Sequence, residues 1–302
     1  MALGYHGRLY ILAFDHRGSF VKMFSETGNP SPEERQRAVD GKHLIFDSMV
    51  IAAEGGEDPS AMGVLVDEEF GSDVPEQARK HGLKLAMPVE KSGQNIFDFE
   101  YGEQFGEHIE RFDPDFTKVL VRYNPEDPDS ESNVLQLQRL RRLADWLHER
   151  DRKFLFELLV PATPEQLAKV DNETDRYDLH ARPELMRRTI AEIQEAGVEV
   201  DVWKIEGVDS QTDAKTISEQ ARSGGRDTVT CVVLGRGADD NKVDHWLRTA
   251  APVEGFTGFA IGRSIWSAPL KAYVAGELER EAAAAKIAQN YTRFIQVYRE
   301  SA

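Results

Sequence analysis

Cysteine is almost absent from this chain, since Cys231 is the only one among 302 residues. A single thiol cannot form a disulfide within the chain, which excludes a disulfide-stapled scaffold and is compatible with a reducing compartment. Long apolar runs are also absent, because no stretch approaches the roughly 20 residues that a membrane helix needs. The segment from Met1 to Tyr10 contains no apolar stretch of signal-peptide length. We therefore expect a cytoplasmic protein with no membrane partner.

Basic residues are outnumbered in this sequence. It has 37 Lys and Arg against 53 Asp and Glu, a net charge of -16 at pH 7 and a pI near 5.0. A nucleic-acid binder needs a basic face that neutralises phosphates, so we expect no nucleic-acid partner. An anionic small molecule stays compatible, because a pocket can be basic inside an acidic surface. The hydrophobic content of 40% supports a globular chain with a large core.

Eight short apolar runs recur along the chain, each five to seven residues long and rich in Val, Ile, Leu or Phe. Runs of this kind are typical of strands that are buried on both faces. They are Leu9–Phe14, Met62–Val66, Lys84–Val89, Phe116–Arg122, Phe154–Val160, Val200–Ile205, Thr228–Leu234 and Thr257–Ile261. Amphipathic stretches between them predict helices at residues 32–54, 134–147, 183–196, 213–222, 239–250 and 279–298.

Strand–helix alternation repeated eight times predicts an α/β fold, a single (β/α)8 TIM barrel that takes up residues 1–302 as one domain. A doubly wound open sheet is the alternative. That fold would need a glycine-rich turn after the first strand, and Asp15-His16-Arg17-Gly18 is not such a turn. The long first crossover, residues 19–61, is expected to carry an additional helix or loop.

Two lysines stand out within the predicted strands. Active sites of such barrels lie at the C-terminal ends of the strands. Lys118 and Lys204 lie inside apolar strands, where an unpaired ammonium costs several kcal/mol. Glu157 is a carboxylate in a third strand of this kind. A lysine that reaches solvent at the barrel mouth is the alternative explanation for each one taken alone.

The combination of two lysines and a carboxylate has a chemical use. A second cation nearby, together with partial desolvation, lowers the pKa of a buried lysine and leaves a neutral amine. A neutral amine attacks a ketone to form an imine, which accepts electrons while a neighbouring C–C bond breaks. A carboxylate such as Glu157 can move the protons that this reaction needs. The trio therefore predicts Schiff-base chemistry.

The last two predicted strands end in glycine and arginine, as Gly235-Arg236-Gly237 and Gly262-Arg263-Ser264. Glycine-rich loops after strands seven and eight, with a following helix N-terminus, form the usual phosphate site of a barrel. We therefore expect this side of the pocket to bind a phosphate group.

Several segments resemble class I aldolases of the tagatose-bisphosphate type. The segment of residues 11–20 is similar to their first-strand motif, and Glu90-Lys91-Ser92-Gly93 is similar to the motif that follows their third strand. Residues 118–123, 156–159 and 201–206 match in order and spacing. The similarity spans about residues 8 to 298. It implies a barrel fold and imine chemistry.

A narrower resemblance is carried by residues 202–207, 233–237 and 259–263. They are similar to the aldolase-like domain that is fused behind 5-dehydro-2-deoxygluconokinase in inositol catabolism, and we expect that domain to stand alone here. Two positions depart from the tagatose pattern. His16 stands where those enzymes usually have Gln, and Gly207 stands where they have a branched residue. We expect both at the pocket rim, so the tagatose substrate does not follow from the resemblance.

The resemblance implies a role for each matched residue. Lys204 forms the Schiff base, Glu157 is the acid/base residue beside it, and Lys118 is a second lysine that binds substrate or keeps the first one neutral. Asp15 is a carboxylate that contacts substrate hydroxyls or shuttles a proton. The residues expected to bind the substrate or its phosphate are Arg17, Glu90, Lys91, Arg122, Gly235, Arg236, Gly262 and Arg263.

A metal site is the main alternative to Schiff-base chemistry, because class II aldolases use a divalent metal held largely by histidines. Of the eight histidines, only His16 falls at the end of a predicted strand, so we expect no metal. Asp67-Glu68-Glu69 is an acidic group that is interpreted as a solvated loop, with contact to substrate by one member as the alternative.

The sequence therefore predicts a class I aldolase, a carbon–carbon lyase that acts on a phosphorylated keto-sugar and needs no cofactor. By resemblance, the expected substrate is 2-deoxy-5-keto-gluconate 6-phosphate, cleaved to dihydroxyacetone phosphate and malonate semialdehyde. Tagatose bisphosphate, fructose bisphosphate and a sulfo-sugar phosphate are the alternative substrates. A non-catalytic sugar-phosphate sensor on the same barrel is the alternative function, although a sensor has no need of a buried amine. A homo-oligomer is compatible with the sequence.

Overall fold

Eight parallel strands hydrogen-bond in the order β1 to β8, and β8 pairs with β1 to close a barrel. The computed structural model describes residues 3–25 and 27–302. The strands are β1 (Leu9–Ala13), β2 (Met62–Leu65), β3 (Lys84–Pro88), β4 (Phe116–Arg122), β5 (Lys153–Leu159), β6 (Val202–Glu206), β7 (Thr230–Leu234) and β8 (Phe256–Ile261). Each predicted run overlaps one of these strands. The predicted (β/α)8 barrel is thereby confirmed, and the open doubly wound sheet is excluded.

Helices surround the barrel and connect its strands. They are α1 (Gly18–Val21), α2 (Pro32–Glu54), α3 (Glu68–Gly71), α4 (Val74–Lys80), α5 (Phe105–Phe112), α6 (Ser130–His148), α7 (Pro164–Ala168), α8 (Thr174–His180), α9 (Arg182–Glu195), α10 (Gln211–Ala221), α11 (Asp240–Ala250), α12 (Arg263–Val274) and α13 (Arg280–Arg299). The six predicted helices correspond to α2, α6, α9, α10, α11 and α13, and α12, with 12 residues, was not predicted. The first crossover carries α1 and α2, as expected, whereas the other short helices were not predicted.

Helix α2 begins where the sequence supplies a complete N-terminal signal. The Ser31 hydroxyl accepts a hydrogen bond from the backbone N–H of Glu34 at 3.2 Å, and the Glu34 carboxylate accepts one from the N–H of Ser31 at 2.7 Å. Pro32 occupies the first helical position, where its missing N–H has no cost. This start aligns a helix of 23 residues along the barrel, and Lys42 in its middle is fully buried.

Two cores hold the barrel together. The larger one lies between the strands and the helices, because every second strand residue points outward. The smaller core fills the barrel interior and consists of Leu9, Ile11, Ala13, Leu65, Ala86, Phe116, Leu155, Val202, Val232 and Ala260. Small side chains at Ala13 and Ala260 also line a cavity, so the interior core ends there and leaves room above it.

The strand register decides which polar side chains share the space above the inner core. In the β5–β6 pair, Glu157 lies directly opposite Lys204. In the β4–β5 pair, Lys118 lies opposite Leu155, one layer below Glu157. Because residues two apart on a strand share a face, these three side chains follow the interior residues Phe116, Leu155 and Val202 into the barrel.

Within residues 3–25 and 27–302, none of the helices combines the length and the apolar character needed to cross a membrane. The barrel strands extend from residue 9 to residue 261, and α13 packs against α2 and α12. That residues 1–302 form a single domain stays a prediction.

Candidate active site

A cavity of about 820 Å³ opens at the C-terminal ends of the strands. Of the predicted site residues, it is lined by Asp15, Arg17, Glu90, Lys91, Lys118, Arg122, Glu157, Lys204, Arg236, Gly262 and Arg263. Gly235 does not line it, and a Cβ there would lie 3.1 Å from the Ile261 side chain. The barrel therefore gathers nearly all of the predicted residues, from seven different strand ends, around one space.

Lys118 forms the centre of a buried lysine–carboxylate cluster in this cavity. The other members of this cluster are Lys204, Asp15, Glu90 and Glu157. Its ammonium donates to Asp15 Oδ2 and to Glu90 Oε1, each at 2.8 Å, and lies 3.0 Å from Glu157 Oε2. The Lys118 side chain is only 1% exposed. Three carboxylates thus surround one ammonium group, two of them as hydrogen-bond acceptors and the third as an ion pair.

Lys204 has a different environment, although it is equally buried. Its ammonium lies 3.0 Å from Glu157 Oε2, the same oxygen that contacts Lys118. Among the described residues, Glu157 is the only ion-pair or hydrogen-bond partner of Lys204. The amine therefore keeps N–H directions that face the cavity rather than a protein group.

The pKa values in the cluster follow from burial and from the balance of charge. Burial by itself lowers the pKa of Lys118, but the carboxylates of Asp15, Glu157 and Glu90 outweigh it and hold that pKa well above its usual range. Burial raises the pKa of Asp15 and of Glu157, yet in both cases the two lysines outweigh it and lower the pKa. At neutral pH, Lys118 is therefore a fixed cation, and Asp15 and Glu157 are carboxylates.

Glu90 is held differently from the other two carboxyl groups. Burial is the largest influence on it and raises its pKa, despite Lys118 and Arg17 nearby. Arg17 donates to the backbone carbonyl of Glu90 at 2.9 Å and pairs with Glu100 at 3.3 Å. Arg17 therefore ties the loop after β1 to the segment after β3.

The arginines after β7 and β8 have contrasting partners. Arg236 is neutralised, because its guanidinium lies 2.5 Å from Asp178 Oδ2 and 3.0 Å from Glu206 Oε1. The guanidinium of Arg263 donates to the carbonyl of Arg236 at 3.0 Å and has no carboxylate partner in the described part of the chain. Of these two arginines, Arg263 is therefore the one whose charge is available to a bound anion.

Gly262 directly follows β8, at a position where no side chain fits. A Cβ on this residue would lie 2.2 Å from the carbonyl oxygen of Ala13, so the ends of β8 and β1 can approach only with glycine there. Gly262 is the residue before the first turn of α12, whose first residue is Arg263. The positive end of that helix consequently faces the cavity beside the Arg263 side chain.

Two expectations about neighbouring residues are wrong. Asp67 is not solvated: it is 1% exposed, pairs with Lys42 at 2.6 Å and caps α3 by accepting from the N–H of Phe70 at 3.0 Å. Gly207 does not lie at the pocket rim, because the ring of Trp246 covers it and a Cβ would come within 2.2 Å of that ring. His16 does line the cavity, as expected.

His16 is also electrically neutral at pH 7. Burial lowers its pKa to about 4, with Lys42 and Arg263 adding to the effect and Asp15 opposing it. Its ring contacts Trp266 edge to face, with centroids 5.5 Å apart. The imidazole thus enters the cavity as an uncharged polar group.

Sequence reasoning missed other residues of the cavity wall. Lys22, which directly follows α1, and Tyr177 and Asp178 of α8 line the cavity, and both of these short helices carry no clear periodic pattern. Lys42 was missed because it lies in a helix, 25 residues from its partner Asp67. A lysine on the apolar face of α2 was the one signal in the sequence that could have indicated it.

In the described ranges, no group of three or more His, Cys, Asp or Glu side chains is arranged to hold a metal ion. The three carboxylates around Lys118 are directed at an ammonium group instead.

Comparison with solved structures places the fold in a known context. The Cgl0159 protein from Corynebacterium glutamicum (Brevibacterium flavum) is 15% identical, with a TM-score of 0.59, over 97% of this chain and 88% of that one. The YdjI aldolase from Escherichia coli K12 is 10% identical, with a TM-score of 0.53, over 90% of this chain and 98% of that one. Identities this low show the shared fold alone.

Sequence families give a more specific placement. No curated protein matches the chain. The family model described as "Uncharacterized protein conserved in bacteria (DUF2090)" matches residues 4–302. This match covers the whole barrel and every residue of the lysine–carboxylate cluster. The chain therefore belongs to the DUF2090 family.

Proposed function

We propose that this protein is a class I aldolase that cleaves a phosphorylated keto-sugar through an imine on Lys204. The observation that carries the proposal is the contrast between two buried lysines in one cavity. Lys118 is saturated by three carboxylates, whereas Lys204 has a single carboxylate partner and otherwise faces the cavity. A nucleophile must have an accessible amine, and Lys204 meets that requirement.

Glu157 is placed to move the protons. Its Oε2 lies 3.0 Å from the Lys204 amine, so it can accept the proton that the amine loses on attack. It can then return that proton to the hydroxyl of the carbinolamine, which leaves as water when the imine forms. In the cleavage step, Glu157 accepts the proton of the β-hydroxyl as the C–C bond breaks. The bonding electrons pass into an enamine on Lys204, and an aldehyde leaves. Protonation of the enamine carbon and hydrolysis of the imine then return the free amine.

Lys118 and Asp15 serve as fixed charges in this scheme. Because its pKa is raised, Lys118 remains an ammonium and can hold a substrate hydroxyl or the developing negative charge on its oxygen. Asp15 fixes Lys118 from the side of β1 and accepts from hydroxyls of the sugar. Proposing Lys118 as a binding cation fits its environment better than proposing it as a second nucleophile.

The phosphate group of the substrate is proposed to lie beside Arg263. This arginine has no carboxylate partner among the described residues, and the first turn of α12 begins at the same residue. Backbone N–H groups at a helix N-terminus and a free guanidinium are a common arrangement for phosphate. Arg236 is the weaker candidate, because Asp178 and Glu206 already compensate its charge.

We propose 2-deoxy-5-keto-gluconate 6-phosphate as the substrate. An imine at its C5 ketone activates the C3–C4 bond, and cleavage releases malonate semialdehyde and then dihydroxyacetone phosphate. The fold shared with a protein described as an aldolase supports an aldol reaction in general. Tagatose bisphosphate, fructose bisphosphate and a sulfo-sugar phosphate are the competing substrates. We also propose a cytoplasmic location and an enzyme that works without metal.

The decisive experiment is reduction with borohydride in the presence of each candidate sugar phosphate, followed by mass mapping of the lysines. We expect one substrate to leave a stable adduct on Lys204, and Lys118 to remain unmodified. Dihydroxyacetone phosphate, the product that leaves the imine last, should also give an adduct on Lys204, with the mass of a three-carbon phosphate. An adduct on another lysine, or none with any candidate, would overturn the proposal.

A further inference from the structure

Lys42 is a buried cation outside the lysine–carboxylate cluster, and the proposed chemistry does not use it. It lies in the middle of α2 and is fully buried. Its ammonium donates to the backbone carbonyls of Phe14 and of His16, the latter at 2.8 Å, and to Asp67 Oδ1 at 2.6 Å. All three N–H directions of the ammonium are therefore occupied.

These contacts enclose one particular residue. Phe14 and His16 are the two neighbours of Asp15 in the chain, so the ammonium of Lys42 binds the carbonyls on both sides of it. The strand pairing of β1 ends just there, since the N–H of Phe14 donates to Leu65 at 2.8 Å and the next residues leave the sheet. Lys42 thus supplies the hydrogen bonds that a neighbouring strand would otherwise have made.

The counter-ion of Lys42 is itself fixed. Asp67 accepts from Lys42 with one oxygen and from the N–H of Phe70 with the other, which joins the pair to the end of β2 and to α3. The ring of Phe20 lies under the ammonium, at 4.2 Å from its nitrogen. The cation is consequently held from several elements and has little freedom to move.

From this arrangement we infer that Lys42 is a positioning residue for Asp15, and through Asp15 for the ammonium of Lys118. The inference rests on the proposed function for its kinetic consequence, but the geometry itself can be measured without any activity. Asp15 Oδ2 lies 2.8 Å from Lys118, and Lys118 and Lys204 share Glu157 Oε2. A shift in the Asp15 backbone would therefore be passed on to the reacting lysine.

A hydrophobic side chain at position 42 would avoid the cost of burying a charge, but it would leave two carbonyls without a donor. The backbone around Asp15 would then rearrange to find other partners. Displacements of about 1 Å from productive geometry can cost about 100-fold in rate. Lys42 is thus connected to the chemistry through backbone position and not through contact with the substrate.

The test uses the double variant Lys42→Met/Asp67→Asn, which removes both buried charges together and leaves an amide oxygen to cap α3. We expect a crystal structure in which the Asp15–Lys118 contact is longer than about 3.5 Å, the limit of a hydrogen bond. We expect kcat to fall about 10- to 100-fold and KM to rise by a smaller factor, because Lys42 orients the reacting groups through Asp15 and Lys118 and does not itself touch the substrate.

The matched control is Met49→Ala, a buried residue two turns further along the same helix. It destabilises α2 without removing a donor from the loop after β1, so the Asp15–Lys118 distance and kcat should stay unchanged below its melting temperature. If the double variant does not fold, Lys42→Gln/Asp67→Asn retains a shorter donor and gives the same two readouts.

The outcomes separate the two proposals. An Asp15–Lys118 contact that stays at 2.8 Å in the double variant overturns the positioning role, whatever the protein catalyses. A lengthened contact with wild-type kcat also overturns it, because position would then be irrelevant to rate. Failure of the wild-type enzyme to form an adduct on Lys204 overturns only the proposed function, and the crystal structure of the variant still decides the role of Lys42.

Discussion

Asp201 and Lys204 are two buried charges on the stretch of chain that forms β6, and they have opposite surroundings. Asp201 directly precedes the strand and is 0% exposed, whereas Lys204 lies within it and is 2% exposed. They are three positions apart in the chain, which is about 10 Å along a strand. Burial alone therefore cannot tell which of the two belongs to a functional site.

The Asp201 carboxylate, just before β6, belongs to a closed hydrogen-bond network. One carboxylate oxygen accepts from the N–H of Gly4 at 2.7 Å and from Lys153 at 2.9 Å. The other accepts from His148 at 3.0 Å and from the N–H of Phe154 at 2.8 Å. Burial by itself raises the pKa of Asp201, but these donors outweigh it and lower the pKa. Every acceptor direction is used, so the group stabilises the bottom of the barrel.

The Lys204 amine, in the middle of β6, belongs to an open network that leaves part of its hydrogen-bonding capacity unused. Its amine has one carboxylate partner among the described residues and otherwise faces a cavity of about 820 Å³. A buried charge with unused hydrogen-bonding capacity costs free energy in the absence of a ligand, and a ligand can recover it. The comparison teaches that incomplete pairing beside a cavity, and not burial, distinguishes a candidate reactive group from a structural one.

The largest expected effect on activity is at Lys204, in the open network. Lys204→Met should lower kcat of the retro-aldol reaction by about four decades or more, because covalent catalysis has no bypass of similar barrier. Steady-state assays with the substrate identified by trapping measure this. The control is Lys286→Met, an exposed lysine on α13 that should leave kcat unchanged. A Lys204→Met enzyme that kept more than about a tenth of wild-type kcat would show that Lys204, like Asp201, is not the reactive group.

The matching change at Asp201, in the closed network, should affect stability instead of activity. Asp201→Asn replaces an acceptor oxygen by a donor and removes the acceptor of one buried backbone N–H, that of Gly4 or that of Phe154, so we expect a loss of about 2–4 kcal/mol in the free energy of unfolding. Below the melting temperature, kcat should stay within about twofold of wild type. Denaturant titration and assays at low temperature measure both. Asp227→Asn, an exposed carboxylate, is the control and should change stability by less than about 0.5 kcal/mol.

The pH dependence of stability probes another residue of the same cavity, His16. The folded-state pKa of His16 is lowered to about 4 from a reference value of 6.5, so the unfolded chain binds more protons than the folded one between these values. Stability therefore rises with pH across that window, by up to about 3 kcal/mol. His16→Gln should flatten the rise, as shown by urea titrations at several pH values. Equal slopes in both proteins would mean that the histidine is not buried as the structure has it.

Anion binding at the mouth gives a smaller effect and divides the two arginines. Arg263→Ala should raise KM for the phosphorylated substrate by about one to two decades and change kcat/KM little for its unphosphorylated analogue. Arg236→Ala should have the weaker effect on KM, because Asp178 and Glu206 already neutralise that guanidinium. The result that contradicts this assignment is an equal loss for both substrates with Arg263→Ala.

Chelation should have the smallest effect of all. The lysine–carboxylate cluster needs no metal ion in the proposed reaction, and its carboxylates are bound to an ammonium group. Prolonged treatment with EDTA should leave kcat within about twofold of the untreated enzyme. Loss of activity that is restored by zinc or another divalent ion would instead favour a metal-dependent aldolase.

The sequence by itself determined the barrel and most of the charged residues that line its mouth. Eight apolar runs with helical periodicity between them leave few alternatives, because strand and helix periods are local properties of the chain. Alternation within a strand also places Lys118, Glu157 and Lys204 on the interior face without knowledge of the neighbouring strands. Helices such as α3, α7 and α8 escaped prediction, because segments of four to seven residues carry too little periodic signal.

Only the tertiary structure decided which charges are satisfied. Asp201 and Lys204 look alike in sequence, as charged residues beside apolar ones, and their difference arises from donors as distant along the chain as Gly4 and His148. The same holds for Arg236 and Arg263, which follow glycine in both cases but differ in their carboxylate partners. Hydrogen-bond partners lie far apart in sequence and are brought together by strand register and by helix packing, so pairing cannot be deduced from local pattern.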